Sequence, residues 1–374
     1  MENIKSIKAD RNKTIVGYSN IRIWATFLVV VGHGTSLSIG TGGHLISPYS
    51  ELSGLTAPVI LEFIRSFIYS FHMPLFVALS GALFALTAGK AVNKVSWVGK
   101  RARRLLLPYL MTAVLFFIPV RFIVGYYCAD ENILGVLLND VFLGADINYL
   151  WYVIMLFEIN VIMILLIQLQ WFQTKAGKIS LFAVFAMLSI LRHAVGDLPF
   201  QLHRTMEFLL WFYMGMQIES IRKRIKKESL KKAIPCIFAF FIVSFAVYQC
   251  CNVWLAKPNV NAVLLILLRG IRLGSTYLTA GLGCVFFFSA AFLSKKSKLK
   301  ISALIDQHSF GIYLYHVPCM YLYTYVIQRL CPAASMTNLL YYVLVIGKMM
   351  IGLAAALAID LCIKWLAKKA ARRK

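Results

Sequence analysis

The chain has 374 residues, 60% of them hydrophobic and only 14% charged, with a mean hydropathy of +0.74. A water-soluble domain of this length does not carry so much apolar material, so the composition excludes a soluble enzyme and points to a polytopic membrane protein. The formal charge of +24 arises from 39 Lys and Arg against 15 Asp and Glu, and its meaning depends on where those residues lie.

A helix needs about 20 residues to cross roughly 30 Å of hydrocarbon. Ten apolar stretches meet that need: 21–39, 62–87, 105–127, 149–171, 179–193, 204–220, 233–255, 260–293, 309–328 and 338–363. The eighth is longer than one crossing requires, so Val260–Leu268 is read as an outer interfacial or re-entrant segment feeding a helix over Leu273–Leu293. The residues before the first stretch are polar and basic and lack a small-residue cleavage site, which marks a retained helix and not a signal peptide. With the N-terminus inside, 30 of the 39 basic residues fall in the six inner segments 1–22, 90–104, 172–178, 222–232, 295–300 and 364–374. The connection between the third and fourth stretches is acidic instead, with Asp130, Glu131, Asp140 and Asp146. Splitting the eighth stretch into two crossings would put the basic tail outside.

The expected fold is therefore all-α: a polytopic membrane protein of about ten transmembrane helices with both termini cytoplasmic. It forms one domain over 1–374, with a cytoplasmic lead at 1–20 and a basic tail at 364–374, placed in the cell membrane. Positive charge sets topology and meets lipid headgroups, so no nucleic-acid partner is called for. The eight cysteines include no C-x-x-C pair, which leaves zinc and redox dithiols without support. Cys128 and Cys331 fall near outer helix ends, where a bridge stays open.

Ionisable side chains inside a bilayer are costly and mark functional candidates. His33 follows Arg22 by eleven residues, so both share one helix face about 16 Å apart along the axis. His72 stands in Phe71–Gly81 just before Pro74, and His316 stands in Gly311–Pro318 just before Pro318. An intramembrane histidine also serves as a plain interhelical hydrogen bond, worth about 0.6 kcal/mol on average. For His72 and His316 both readings stay open, whereas the phase-matched Arg22 favours a site role for His33. No H-x₃₋₅-H spacing accompanies them, and no metal is expected. Arg101 and Arg104 are three residues apart in a basic cluster that sets topology and can also present two guanidinium forks to one phosphate group. Glu158 is read as the structural ion-pair partner of Lys348 or Arg121, with Lys348 favoured. Arg65 and Arg121 lie toward the outer side, where they can face a cavity holding an acidic or polyhydroxylated acceptor. Trp151, Tyr152, Trp171, Trp211, Trp254, Tyr341, Tyr342 and Trp365 are read as interfacial anchors, with stacking on a sugar a second reading for Trp151 and Tyr152.

The ordered series Arg22-x₁₀-His33, FHMPLFVALSG (Phe71–Gly81), RARRLLLPY (Arg101–Tyr109), LWYVIMLF (Leu150–Phe157) and GIYLYHVP (Gly311–Pro318) resembles the integral-membrane acyltransferase-3 family. Within it, the closest resemblance is to the fucose 4-O-acetylase-like or polysaccharide O-acetyltransferase branch. The resemblance implies a ten-helix domain that takes an acyl group, usually acetyl, from cytoplasmic acyl-CoA. It delivers that group to a hydroxyl of a surface glycan or its lipid-linked precursor. By position, the family's essential pair falls on Arg22 and His33, and its arginine-rich inner loop on Arg101 and Arg104. Many members add a soluble extracytoplasmic domain, for which this sequence leaves no room, and no G-x-S-x-G elbow is present. The implied mechanism has Arg101, Arg104 and Arg22 on the donor phosphates and His33 as general base or transient acyl acceptor. His72, His316 and Arg65 then support the reaction or bind the acceptor. The rival is a proton-coupled transporter or flippase for a polar or glycan substrate. It accounts for buried His and Glu but not for a phosphate-ready inner loop. Acceptor choice is assigned to the outer connections 40–61, 129–148 and 252–272.

Overall fold

The computed structural model describes residues 2–41, 44–46, 54–88, 93–128, 130–258 and 261–372. Its helices in chain order are α1 (Glu2–Gly34), α2 (Ala57–Tyr69), α3 (His72–Thr87), α4 (Lys94–Thr112), α5 (Ile118–Ile123) and α6 (Ile133–Val136). They continue with α7 (Trp151–Leu166), α8 (Lys175–Leu191), α9 (Leu202–Arg224), α10 (Lys227–Leu255), α11 (Ala262–Leu293), α12 (Lys300–Leu330) and α13 (Asn338–Ala371). A small antiparallel ribbon, β1 (Ile39–Thr41) with β2 (His44–Ile46), follows α1. The chain is thus an all-α polytopic membrane protein. Of the 40–61 connection, residues 42–43 and 47–53 lie outside the described residues, as do the last two residues of the basic tail.

Seven helical stretches among the described residues are long and apolar enough to cross a membrane. The long helices α1, α9 and α12 miss that threshold because of their polar residues: Arg22 and His33 on α1, His203, Arg204 and Glu207 on α9, Asp306, His308 and His316 on α12. They are nevertheless interior helices. α1 packs against α2, α3, α11, α12 and α13, which makes it the hub of the bundle. In lipid the hydrophobic effect gives no drive between helices, so close packing has to hold them. The crossing of α3 and α9 shows how: a Cβ added at Gly81 would fall 2.0 Å from the Phe212 carbonyl oxygen, and one at Gly215 2.0 Å from that of Ala78. Two glycines let these backbones touch.

Three helix ends differ from the sequence expectation. α1 stops at Gly34, one residue past His33, and residues 35–38 run on as irregular chain although Leu37 is 1% exposed. The second crossing is broken, with Ser70 and Phe71 separating α2 from α3 and Phe71 at φ −143°. Pro74 explains the break, since a continuous helix would need its missing N–H to bond the Ser70 carbonyl, whereas in the first turn of α3 that N–H is not needed. The eighth crossing is one unbroken 32-residue helix, α11, and not a re-entrant segment plus a helix. At about 48 Å it outruns the bilayer, and Arg269 and Arg272 stand exposed on its outer part.

The acidic outer connection is fastened to the third crossing by Arg121, whose side chain is fully buried. Its guanidinium donates to the Asp146 carboxylate at 3.1 and 3.2 Å, to the Asp146 carbonyl at 2.7 Å and to the Tyr127 hydroxyl at 2.8 Å. It also lies 4.1 Å over the Tyr126 ring. No disulfide joins the cysteines among the described residues, so Cys128 and Cys331 are not bridged to each other.

Candidate active site

α1 delivers His33 in its last turn, and the chain then leaves helical geometry inside the bundle. His33 lines a cavity of about 1250 Å³ bounded by α2, the start of α3, the 139–149 connection, α7, α9 and α11. Glu62 and Arg65 of α2, Asp146 and Asn148, and His203, Arg204 and Glu207 in the first turns of α9 line it, which places the cavity in the outer half of the bundle.

The structure brings His33, His72 and His316 into one neighbourhood. The His33 and His316 rings are 5.2 Å apart between centroids, and Tyr69 stands between His33 and His72 at 5.9 and 4.8 Å. Tyr69 Oη lies 3.3 Å from His33 Nδ1. Hydrogen bonds fix the tautomers of the other two, since a carbonyl can only accept. His72 Nδ1–H donates to the Ile68 carbonyl at 3.0 Å, made available by the break that ends α2. His316 Nδ1–H donates to the Tyr313 carbonyl at 2.8 Å, which leaves its Nε2 as a lone-pair acceptor, buried and without a partner among the described residues. Tyr149 closes the other side, its ring 6.2 Å from His33 and 5.2 Å from His316, and Tyr313 donates its hydroxyl to the Tyr149 carbonyl. No metal-ligating group of three or more His, Cys, Asp or Glu forms among the described residues.

Arg65 lines the cavity with its guanidinium 2.6 Å from Glu62, but Arg121 does not face it, being consumed by Asp146. The expected Glu158–Lys348 ion pair is absent, and Glu158–Arg121 likewise. Glu158 instead accepts from Thr205 Oγ1 at 2.5 Å, and Lys348 donates to the Ser36 and Ser38 carbonyls at 2.7 and 3.2 Å. Those carbonyls were freed when α1 ended early, and a buried carbonyl in lipid has to find a donor. Four of the expected interfacial anchors are interior residues. Trp151 and Trp211 line the cavity, Tyr152 bonds Ser80 at 3.0 Å, and the Tyr341 hydroxyl accepts from the Leu37 amide. Trp171, Trp254 and Trp365 are exposed near helix ends, as an aromatic belt requires.

The cavity rim holds groups that sequence reasoning passed over. Arg204 lies 5.0 Å over the Trp151 ring and 3.6 Å from Glu207, Asp197 joins Arg192 and His203, and Trp211 stacks on Tyr277 at 6.2 Å. Tyr69 was visible only as part of an apolar run, four residues beyond Arg65.

Three turns before His33 on α1, Arg22 donates to Asp306 of α12 at 2.7 Å, and Ser19 donates to the other carboxylate oxygen at 2.7 Å. Asp306 was not among the expected partners. Arg101 lies 4.7 Å over the Trp97 ring on α4 and Arg104 stands exposed, neither with a carboxylate partner among the described residues. The structure therefore gathers the histidines and Arg65 around the cavity and holds Arg22, Arg101 and Arg104 away from it, on α1 and α4.

The family model described as an acyltransferase domain, acyltransferase-3, matches residues 15–359. That is nearly the whole chain, and the chain belongs to this family of membrane acyltransferases. No curated protein and no solved structure matches it.

Proposed function

We propose that this membrane acyltransferase moves an acyl group, acetyl by preference, from cytoplasmic acyl-CoA to a hydroxyl of a cell-surface glycan or its lipid-linked precursor. The whole chain acts as one domain in the cell membrane, of the fucose 4-O-acetylase-like or polysaccharide O-acetyltransferase type. The observation that carries the reading is the position of His33. It lies in the last turn of a helix that carries Arg22 three turns earlier, toward the inner face, and it borders a large outer-half cavity rich in aromatic and polar side chains.

In this reading Arg101 and Arg104, with Arg22, hold the donor phosphates, because guanidinium forks match phosphate oxygens. His33 takes the proton of the acceptor hydroxyl as it attacks the thioester, a role suited to an imidazole at neutral pH. Tyr69 orients the ring, and His316 and His72 keep lone-pair acceptors nearby. The glycan lies in the outer cavity against Trp151 and Arg65. A proton-coupled transporter accounts for the buried histidines but not for membership of an acyltransferase family.

The test is purified protein in lipid nanodiscs with radiolabelled acetyl-CoA and a panel of lipid-linked glycans, wild type beside His33→Ala. Wild type should transfer label, and the variant should lose about 10²–10⁴-fold while keeping its melting transition, as expected for removal of a general base. Full transfer by His33→Ala would sink the role of His33. Glycan flux without label transfer would favour the transporter.

A further inference from the structure

The early end of α1 leaves a second, much smaller space on the other side of His33. It measures about 30 Å³ and is bordered by Lys348, Tyr69, Tyr321 and Met320 together with Gly32 and His33. That is room for one or two waters or for a carbonyl oxygen, and far too little for a sugar ring. His33 borders both spaces, so any carbonyl attacked beside it from the large cavity has this chamber within reach of its oxygen.

Arg65 and Tyr69 also line the chamber, but Arg65 is engaged by Glu62 and Tyr69 by His33, whereas Lys348 and Tyr321 face it with donor capacity to spare. Lys348 sits ten residues into α13, about 15 Å below its outer end, and is 1% exposed. An ammonium carries three N–H groups, and the Ser36 and Ser38 carbonyls use two. Burying a full positive charge in a bilayer costs several kcal/mol, and capping two carbonyls does not call for a charge. The hydroxyl of Tyr321 accepts from Asn148 Nδ2–H at 2.8 Å and from the Gly40 backbone amide, and both bonds leave its own hydrogen uncommitted.

We infer that Lys348 and Tyr321 form the oxyanion pocket of the acyl transfer. The inference rests on the acyl-thioester reading above. The acceptor hydroxyl oxygen bonds to the thioester carbonyl carbon while His33 takes its proton, and the carbonyl π pair moves onto oxygen. That oxygen receives the third N–H of Lys348 and the O–H of Tyr321. On collapse the C–O double bond re-forms, the C–S bond breaks, and the departing CoA thiolate takes the proton from His33. Fixed donors in a site closed to water act where charge develops, and loss of one such donor typically lowers turnover by 10²–10³-fold.

The experiment compares wild type, Lys348→Met, Lys348→Gln and Tyr321→Phe with acetyl-CoA and with the more electrophilic fluoroacetyl-CoA. Lys348→Gln keeps N–H groups for the Ser36 and Ser38 carbonyls but removes the charge. With acetyl-CoA, both Lys348 variants should lose about 10²–10³-fold in kcat with donor and acceptor KM unchanged. Tyr321→Phe should lose about tenfold. All these deficits should shrink severalfold with fluoroacetyl-CoA, whose carbonyl needs less electrophilic help; a merely structural role is blind to donor electronics. Equal losses with both donors, or losses confined to KM, overturn the assignment. If the Lys348 variants do not fold, Tyr321→Phe decides, because it deletes one oxygen and leaves the packing in place. A wild type that transfers no acyl group from either donor sinks the donor reading, and the pocket falls with it.

Discussion

The outer cavity and the inner arginine face handle charge in opposite ways. In the cavity wall, Arg65 is held by Glu62 at 2.6 Å and Arg204 by Glu207 at 3.6 Å, while the wall residue Asp197 holds Arg192 at 3.3 Å behind it. Its arginines are neutralised before any ligand arrives, and Trp151, Trp211 and Tyr277 stand among them. On the inner face, Arg101 rests on Trp97 and Arg104 is exposed, with no carboxylate among the described residues within ion-pair distance of either. A pre-neutralised aromatic cavity suits an uncharged polyhydroxylated ligand, while unpaired forks suit phosphate. The difference teaches that the two substrates are separable by where a mutation acts.

The sharpest way to break this division is the double variant Arg101→Ala/Arg104→Ala. Each charge-assisted contact is worth about 1.5 kcal/mol, near tenfold in affinity. Initial rates against acyl-CoA should therefore show a donor KM raised about 100-fold, with acceptor KM unchanged and kcat within a few-fold. A rise in acceptor KM instead would place these arginines in the wrong half of the reaction. A smaller effect is expected on the other side. Trp151→Ala removes the ring under Arg204 that faces the cavity, a contact worth about 1 kcal/mol. Acceptor KM should rise about fivefold with donor KM unmoved, measured by varying the glycan at saturating donor. If both constants move together, the cavity is not a dedicated acceptor site.

The crossings were legible because long apolar runs and alternating basic segments survive in any sequence order. Pro74 is the sequence mark of the broken second crossing, but nothing in the sequence sets a fresh helix start at His72. The end of α1 was hidden because nothing in Thr35–Leu37 forbids a helix. What stops it is tertiary: Lys348 offers hydrogen bonds to the Ser36 and Ser38 carbonyls, and Tyr341 takes the Leu37 amide. Backbone groups leave no trace in a sequence, so Lys348 was matched to the only kind of partner a sequence displays, a carboxylate. The same blindness hid the cavity rim. His203, Arg204 and Glu207 lie at the end of a crossing, where charge normally means solvent, yet the bundle turns them onto Trp151 and Asp197.

Asp306 gives the smallest effect and the finest discrimination between the two faces. Among the described residues it is the one carboxylate holding an arginine proposed for the donor, Arg22, at 2.7 Å with both side chains partly exposed. An ion pair so placed contributes only about 0–1 kcal/mol, so Asp306→Asn should leave the melting temperature nearly unchanged. If Arg22 serves the donor phosphates, Asp306 competes with the donor for the same guanidinium. Removing its charge should then lower donor KM by up to about fivefold, the reverse of what deleting Arg101 and Arg104 does. If Arg22 serves only to anchor α1 against α12, donor KM should stay where it is, and the inner face would reduce to α4 alone. Titration with acyl-CoA at several salt concentrations separates the outcomes, because competition between carboxylate and phosphate for one exposed cation weakens as salt screens both.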